Sequence, residues 1–199
     1  MYRIRTKGYS KQNAGQRWAL PDRVFFACGA CHILAYAFLE RYGAEAGQAL
    51  WLKPAPGFTG NHIVIATDDW VFDYHGYSAR TPFLDHTFRR ARHFWPGWDA
   101  TLIELPREVL ISEPLSRTYD GLWLREPGQF LHDALPRARA YLDRFPPALP
   151  PRRSVKRALI RSSGRMPTPC NETAPSANRP FEALDEKRVA LAIAPRGLI

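Results

Sequence analysis

This chain has little of what would put a protein in a membrane or an oxidising compartment. Nothing in its 199 residues approaches the ~18 consecutive apolar residues that a spanning helix needs. The opening MYRIRTKGYSKQNAGQRW carries charge but no apolar h-region, so it does not read as a secretory signal. Cysteines number only three, and Cys28 and Cys31 stand three positions apart, which is not the layout of a disulfide framework. Acidic residues are scarce, 19 against 28 Lys and Arg. A cytoplasmic protein is the expectation, and a leaderless secreted effector would carry the same signature.

What is present is enough for a core: 45% of residues are hydrophobic and 13% aromatic, suiting one ordinary domain with an appendage. The net charge of +9 is unevenly spread. Residues 150–199 hold 10 Lys and Arg against 4 Asp and Glu, so the basic character belongs mostly to the tail. Residues 146–178 are rich in Pro, Arg, Ser and Asn, the composition of a chain too polar to bury a core. The division expected is an N-terminal extension at 1–23, a folded domain at 24–145, and a basic, largely disordered tail at 146–199. Such a tail is a candidate for weak contact with nucleic acid or an acidic partner.

Within the domain, Ile33, Leu34, Ala37, Phe38 and Tyr42 recur at three- and four-residue spacing, predicting a helix from Cys31 to Tyr42, ended by Gly43. Asn61–Thr67 and Trp70–Tyr74 are rich in β-branched and aromatic residues and read as strands. Ala49–Lys53 and Ala100–Leu105 are further strand candidates. Asp85–Phe94 reads as a short basic helix, and a helical stretch lies within 131–145.

The chemistry concentrates on Cys31. In the first turn of a helix, unsatisfied amides and partial positive charge favour thiolate over thiol. A backbone N–H there can also hold an oxyanion, and Gly29 permits close approach of a substrate backbone. If Asp68-Asp69 closes a two-residue hairpin, Thr67 faces Trp70, Val64 faces Asp73 and His62 faces His75. Asp73 is then a diagonal neighbour of His62 and can orient one imidazole nitrogen, leaving the other for Cys31. Cys28, His32 and His75 are weaker candidates, His75 serving as partner only if the register slips. Trp70, Phe72 and Tyr74 fall on the opposite face, as core.

Gly29-Ala30-Cys31-His32-Ile33-Leu34-Ala35 with Phe38-Leu39 resembles the Gly-x-Cys helix start of papain-like and transglutaminase-like cysteine enzymes. Cys28-Gly29-Ala30-Cys31 is similar to the segment around the papain nucleophile. Asn61-His62-Ile63-Val64-Ile65, then Trp70-Val71-Phe72-Asp73 and Gly76, is similar to the family's histidine strand and the aspartate strand after it. The resemblance spans residues 24–105 and is nearest to the compact bacterial members. It implies an α+β papain-like or transglutaminase-like core, with a Cys-bearing helix packed on a small antiparallel sheet that carries His and Asp. It further implies a cysteine-dependent hydrolase or acyltransferase that acts on an amide, isopeptide or other acyl bond through Cys31, His62 and Asp73, without a cofactor. Papain's oxyanion glutamine lies a few residues before its cysteine; Gln16 and Gln12 stand much farther upstream here, which leaves that role open.

Two rival readings use the same letters. Cys28-Gly29-Ala30-Cys31-His32 spells the c-type haem attachment pattern, which requires export that the sequence does not announce. Cys28, Cys31 and His32, His62 or His75 are chemically suitable ligands for zinc, making the alternative a non-catalytic binding module with a basic tail.

Overall fold

A computed structural model of the protein describes residues 8–146. The expectation of a disordered basic tail, from residue 147 onward, lies outside the described residues, as does the third cysteine, Cys170. The described part is α+β, with one antiparallel five-stranded sheet and several helices.

The sheet comprises β1 (Gln48–Pro54), β2 (His62–Ala66), β3 (Trp70–Asp73), β4 (Gly76–Ala79) and β5 (Ala100–Leu105), in spatial order β4-β3-β2-β1-β5. Strand alternation gives it two apolar faces. Ala49, Trp51, Ile63, Ile65 and Phe72 belong to the larger core, which includes Phe25, Phe26, Ile33, Leu34 and Phe38. Leu50, Leu52, Val64, Ala66 and Val71 form a second cluster. The helix α3 (Cys31–Tyr42) packs against β2 and β3 with the first set. On the second, Phe83 and Leu84 of α4 (Arg80–Phe94) close over the cluster. Both faces are therefore covered, where the sequence suggested a single helix-bearing face.

The hairpin register is the expected one: Ile65 pairs with Phe72 and Ala66 with Val71. Asp68-Asp69 is a poor turn pair by itself. The Thr67 hydroxyl compensates by accepting from the Asp69 and Trp70 amides at 3.3 and 3.2 Å, and the Arg80 guanidinium donates to the Thr67 carbonyl at 2.9 Å. The end of β3 differs. β3 ends at Asp73, and Tyr74-His75 turns the chain into β4, so His75 is not a ladder partner of His62. β4 escapes a propensity reading because Gly-Tyr-Ser-Ala has little of the β-branched signal, and its pairing with β3 defines it.

Gly76 makes that turn feasible. Its φ of +96° is one that L residues rarely adopt, and an added Cβ would stand 2.8 Å from Phe145 Cδ1. α4 begins five residues earlier than expected, at Arg80, because Pro82 sits in the first turn, where no helical N–H is required.

The N-terminal segment packs onto the same core through α1 (Ala14–Trp18) and α2 (Asp22–Ala27). Arg137 of α6 (Ala134–Leu142), which follows the short α5 (Glu113–Ser116), ties it down, donating to Asp22 Oδ1 at 2.9 Å and to the Trp18 carbonyl at 2.7 Å. Its guanidinium also lies 4.2 Å from the centroid of the Phe25 ring. No helix among the described residues is long and apolar enough to cross a membrane.

Candidate active site

Three element termini converge: Cys31 opens α3, His62 opens β2 and Asp73 closes β3. By strand parity, His62 and Asp73 belong with Val64 and Val71, on the face that α4 covers. Cys31 comes from the helix on the other face. Cys31 and Asp73 nevertheless line one small void, and the sulfur and the imidazole lie close enough to shift each other's protonation.

Local sequence explains the placement of each group. Gly29, at φ +128°, turns the chain out of α2 and into α3. The first helical hydrogen bonds of α3 run from the Ile33 and Leu34 amides to the Ala30 carbonyl. The Cys31 and His32 amides precede them and face no helical acceptor. The entry to β2 is pinned on both sides. Trp51 Nε1 donates to Asn61 Oδ1 at 2.8 Å, and Trp98 Nε1 donates to the Thr59 carbonyl at 3.0 Å.

His62 Nε2 lies 3.2 Å from Asp73 Oδ2, and both residues are buried. An ionised carboxylate only accepts, so Nε2 carries a proton and Nδ1 is left for the sulfur. The other oxygen, Asp73 Oδ1, accepts the His75 amide at 2.8 Å, with His75 Nδ1 at 3.4 Å. Burial alone would raise the Asp73 carboxyl, but hydrogen bonds from His62 and His75 hold it below the usual carboxylate range.

The two cysteines part company. Burial raises the Cys28 thiol to about 11, against a weaker opposing pull from Lys11. Burial acts on Cys31 in the same sense, but hydrogen bonds and charge from His32 and His62 outweigh it and bring the thiol down to about 5. His62 moves oppositely. Burial disfavours its charge, while Asp73 and Cys31 together lift it to about 9. The coupled direction is towards a thiolate beside an imidazolium, the activated form of a cysteine nucleophile.

Cys31, His62 and Asp73 are thus brought together, while the Cys28 thiol is raised rather than lowered. His32 is the residue that periodicity undervalued. It is buried, its Nε2 sits 2.9 Å from the Arg125 carbonyl, and it lies close enough to Cys31 to lower the thiol. Its adjacency to Cys31 was the only available signal, because Arg125 is 93 residues away. Gln16 and Gln12 are engaged elsewhere: Gln16 Oε1 accepts the Ser10 amide at 2.8 Å, and Gln12 Oε1 accepts the Ser10 hydroxyl at 2.9 Å.

A zinc site on Cys28, Cys31 and histidine is not assembled, since no three His, Cys, Asp or Glu among the described residues are grouped to hold a metal ion. The haem pattern also lacks its axial ligand, because His32 is buried and turned onto a backbone carbonyl. Comparison with protein-family models, with curated proteins and with solved structures finds no match.

Proposed function

We propose that the protein is a cysteine-dependent hydrolase or acyltransferase of papain-like or transglutaminase-like type, acting on an amide or other acyl bond. The observation that carries this reading is the convergence of half-buried Cys31 with buried His62 and Asp73, with the sulfur at a helix start and the carboxylate on one imidazole nitrogen. The resemblance over residues 24–105 and the chain order Cys, His, Asp support it.

In this scheme the Cys31 thiolate attacks the acyl carbon, and the α3 amides receive the developing negative charge on oxygen. Collapse breaks the C–N bond, and the amine departs with the proton that His62 Nδ1 held. A thioester to Cys31 remains. Water, or an acceptor amine, gives a proton back to His62 as it adds to the thioester carbon. The C–S bond then breaks and the thiolate returns. Asp73 keeps the ring in the one orientation and tautomer that serve both half-reactions.

The test is alkylation by iodoacetamide across pH, with the modified site located by mass spectrometry. Cys31 should label with an acid limb near 5, while Cys28 should label only as the pH approaches its raised value of about 11. Labelling lost in Cys31→Ala and kept in Cys28→Ala supports the assignment. Equally slow labelling of both thiols at neutral pH would refute it.

A further inference from the structure

The proposed chemistry leaves unexplained a cavity of about 490 Å³ between the β3–β4 end of the sheet and α4. His62 forms part of its wall, and Cys31 does not. Around it stand Arg23 from α2, Arg90 and His86 from α4, and His75 from the β3–β4 turn. No carboxylate among the described residues lines it. Of the acids adjoining its lining residues, Asp22 pairs with Arg137 and Arg144, and Asp73 with His62 and His75. Arg23 and Arg90 form no ion pair among the described residues, and the Arg90 guanidinium rests 5.9 Å from the Phe94 ring centroid. Both arginines are close enough to the Tyr74 phenol to oppose the rise that burial imposes on it.

An uncompensated cationic concavity attracts an anion. Its position says which part of a substrate carries that anion. His62 must touch the departing amine to protonate it, so the groups on the amine side of the scissile bond lie past His62. We infer that this cavity is the leaving-group subsite, built to take an amine that bears a carboxylate or a phosphate near its nitrogen, held by Arg23 and Arg90. A free amino-acid carboxylate and a phosphoryl group share that chemistry. This inference rests on the cysteine-enzyme reading of Cys31 and His62.

The experiment compares alkylation of Cys31 in the full chain by iodoacetate, which is anionic, and iodoacetamide, which is neutral. In each reaction the S–C bond forms and iodide leaves, so their rate ratio cancels general changes in sulfur reactivity. At low salt the ratio should fall about 3-fold in Arg23→Gln or Arg90→Gln and about 10-fold in the double variant, as expected for losing one or two nearby charges in a solvated site. Both arginines are exposed, so glutamine is accommodated without disturbing the core, and Arg23→Lys and Arg90→Lys should keep the ratio. Protection of Cys31 by acetate or by inorganic phosphate, against chloride at equal ionic strength, assigns the anion as carboxylate or phosphate. Rapid iodoacetamide labelling with a ratio indifferent to both arginines overturns the subsite alone. Sluggish iodoacetamide labelling of wild-type Cys31 overturns the cysteine-enzyme reading, and the subsite falls with it.

Discussion

At the level of single residues, the protonation of two groups sets the behaviour of the proposed site. Below about 5 the Cys31 sulfur gains a proton and the nucleophile is lost; above about 9 His62 loses the proton it would deliver to the leaving group. Acyl transfer should therefore rise through the first value and fall through the second, read as kcat/KM against pH on an amide substrate. Asp73→Asn preserves volume but removes the charge that lifts His62. The alkaline limb should drop by about 1–3 pH units, and the acid limb should move up in Cys31 alkylation. Cys31 was legible in the sequence because a Gly-x-Cys start to an apolar-periodic stretch has few readings. His32 was not, since its second contact comes from Arg125, far along the chain.

Among the elements, the β3–β4 turn matters most for the site. Asp73 is the last residue of β3, and the turn that follows it supplies the His75 amide to its carboxylate. Tyr141 of α6 holds the same turn by donating its hydroxyl to the Tyr74 carbonyl at 2.8 Å. Gly76→Ala should cost about 1–3 kcal/mol from backbone strain, with more from the Phe145 contact. A lower Tm together with slower Cys31 alkylation near pH 6.5 would show the turn acting on the triad. The β2–β3 register was readable because a one-residue slip would have exchanged the two apolar faces. The early end of β3 was not, because Tyr74 and His75 have ordinary strand composition and the turn depends on Gly76 and on α6.

Across the whole described structure, distant segments are sewn together by arginine. Arg137 reaches Asp22, the Trp18 and Leu20 carbonyls and the Phe25 ring, joining α6 to the segment that leads into the Cys31 loop. Arg137→Ala leaves the Trp18 and Leu20 carbonyls without this donor and Asp22 with Arg144 alone, and should lower stability by about 2–3 kcal/mol in urea denaturation. Arg137→Lys should recover only part of this, because an ammonium cannot reproduce the planar fork. Arg139 adds a bidentate pair to Glu40, but in exposed surroundings where such pairs contribute little.

The α+β class was what the resemblance implied, while residue type and spacing by themselves determined the helix at Cys31 and the paired strands and nominated the three side chains of the proposed triad. Those properties follow from local periodicity and from the alternation of a strand, which chain-neighbouring residues encode. Tertiary packing decided that α4 covers the second face of the sheet, that His62 meets a helix from the opposite face, and that a cationic cavity adjoins it. Each of these depends on groups tens of residues apart, brought together by burial of apolar surface, and no short window of sequence records such a meeting.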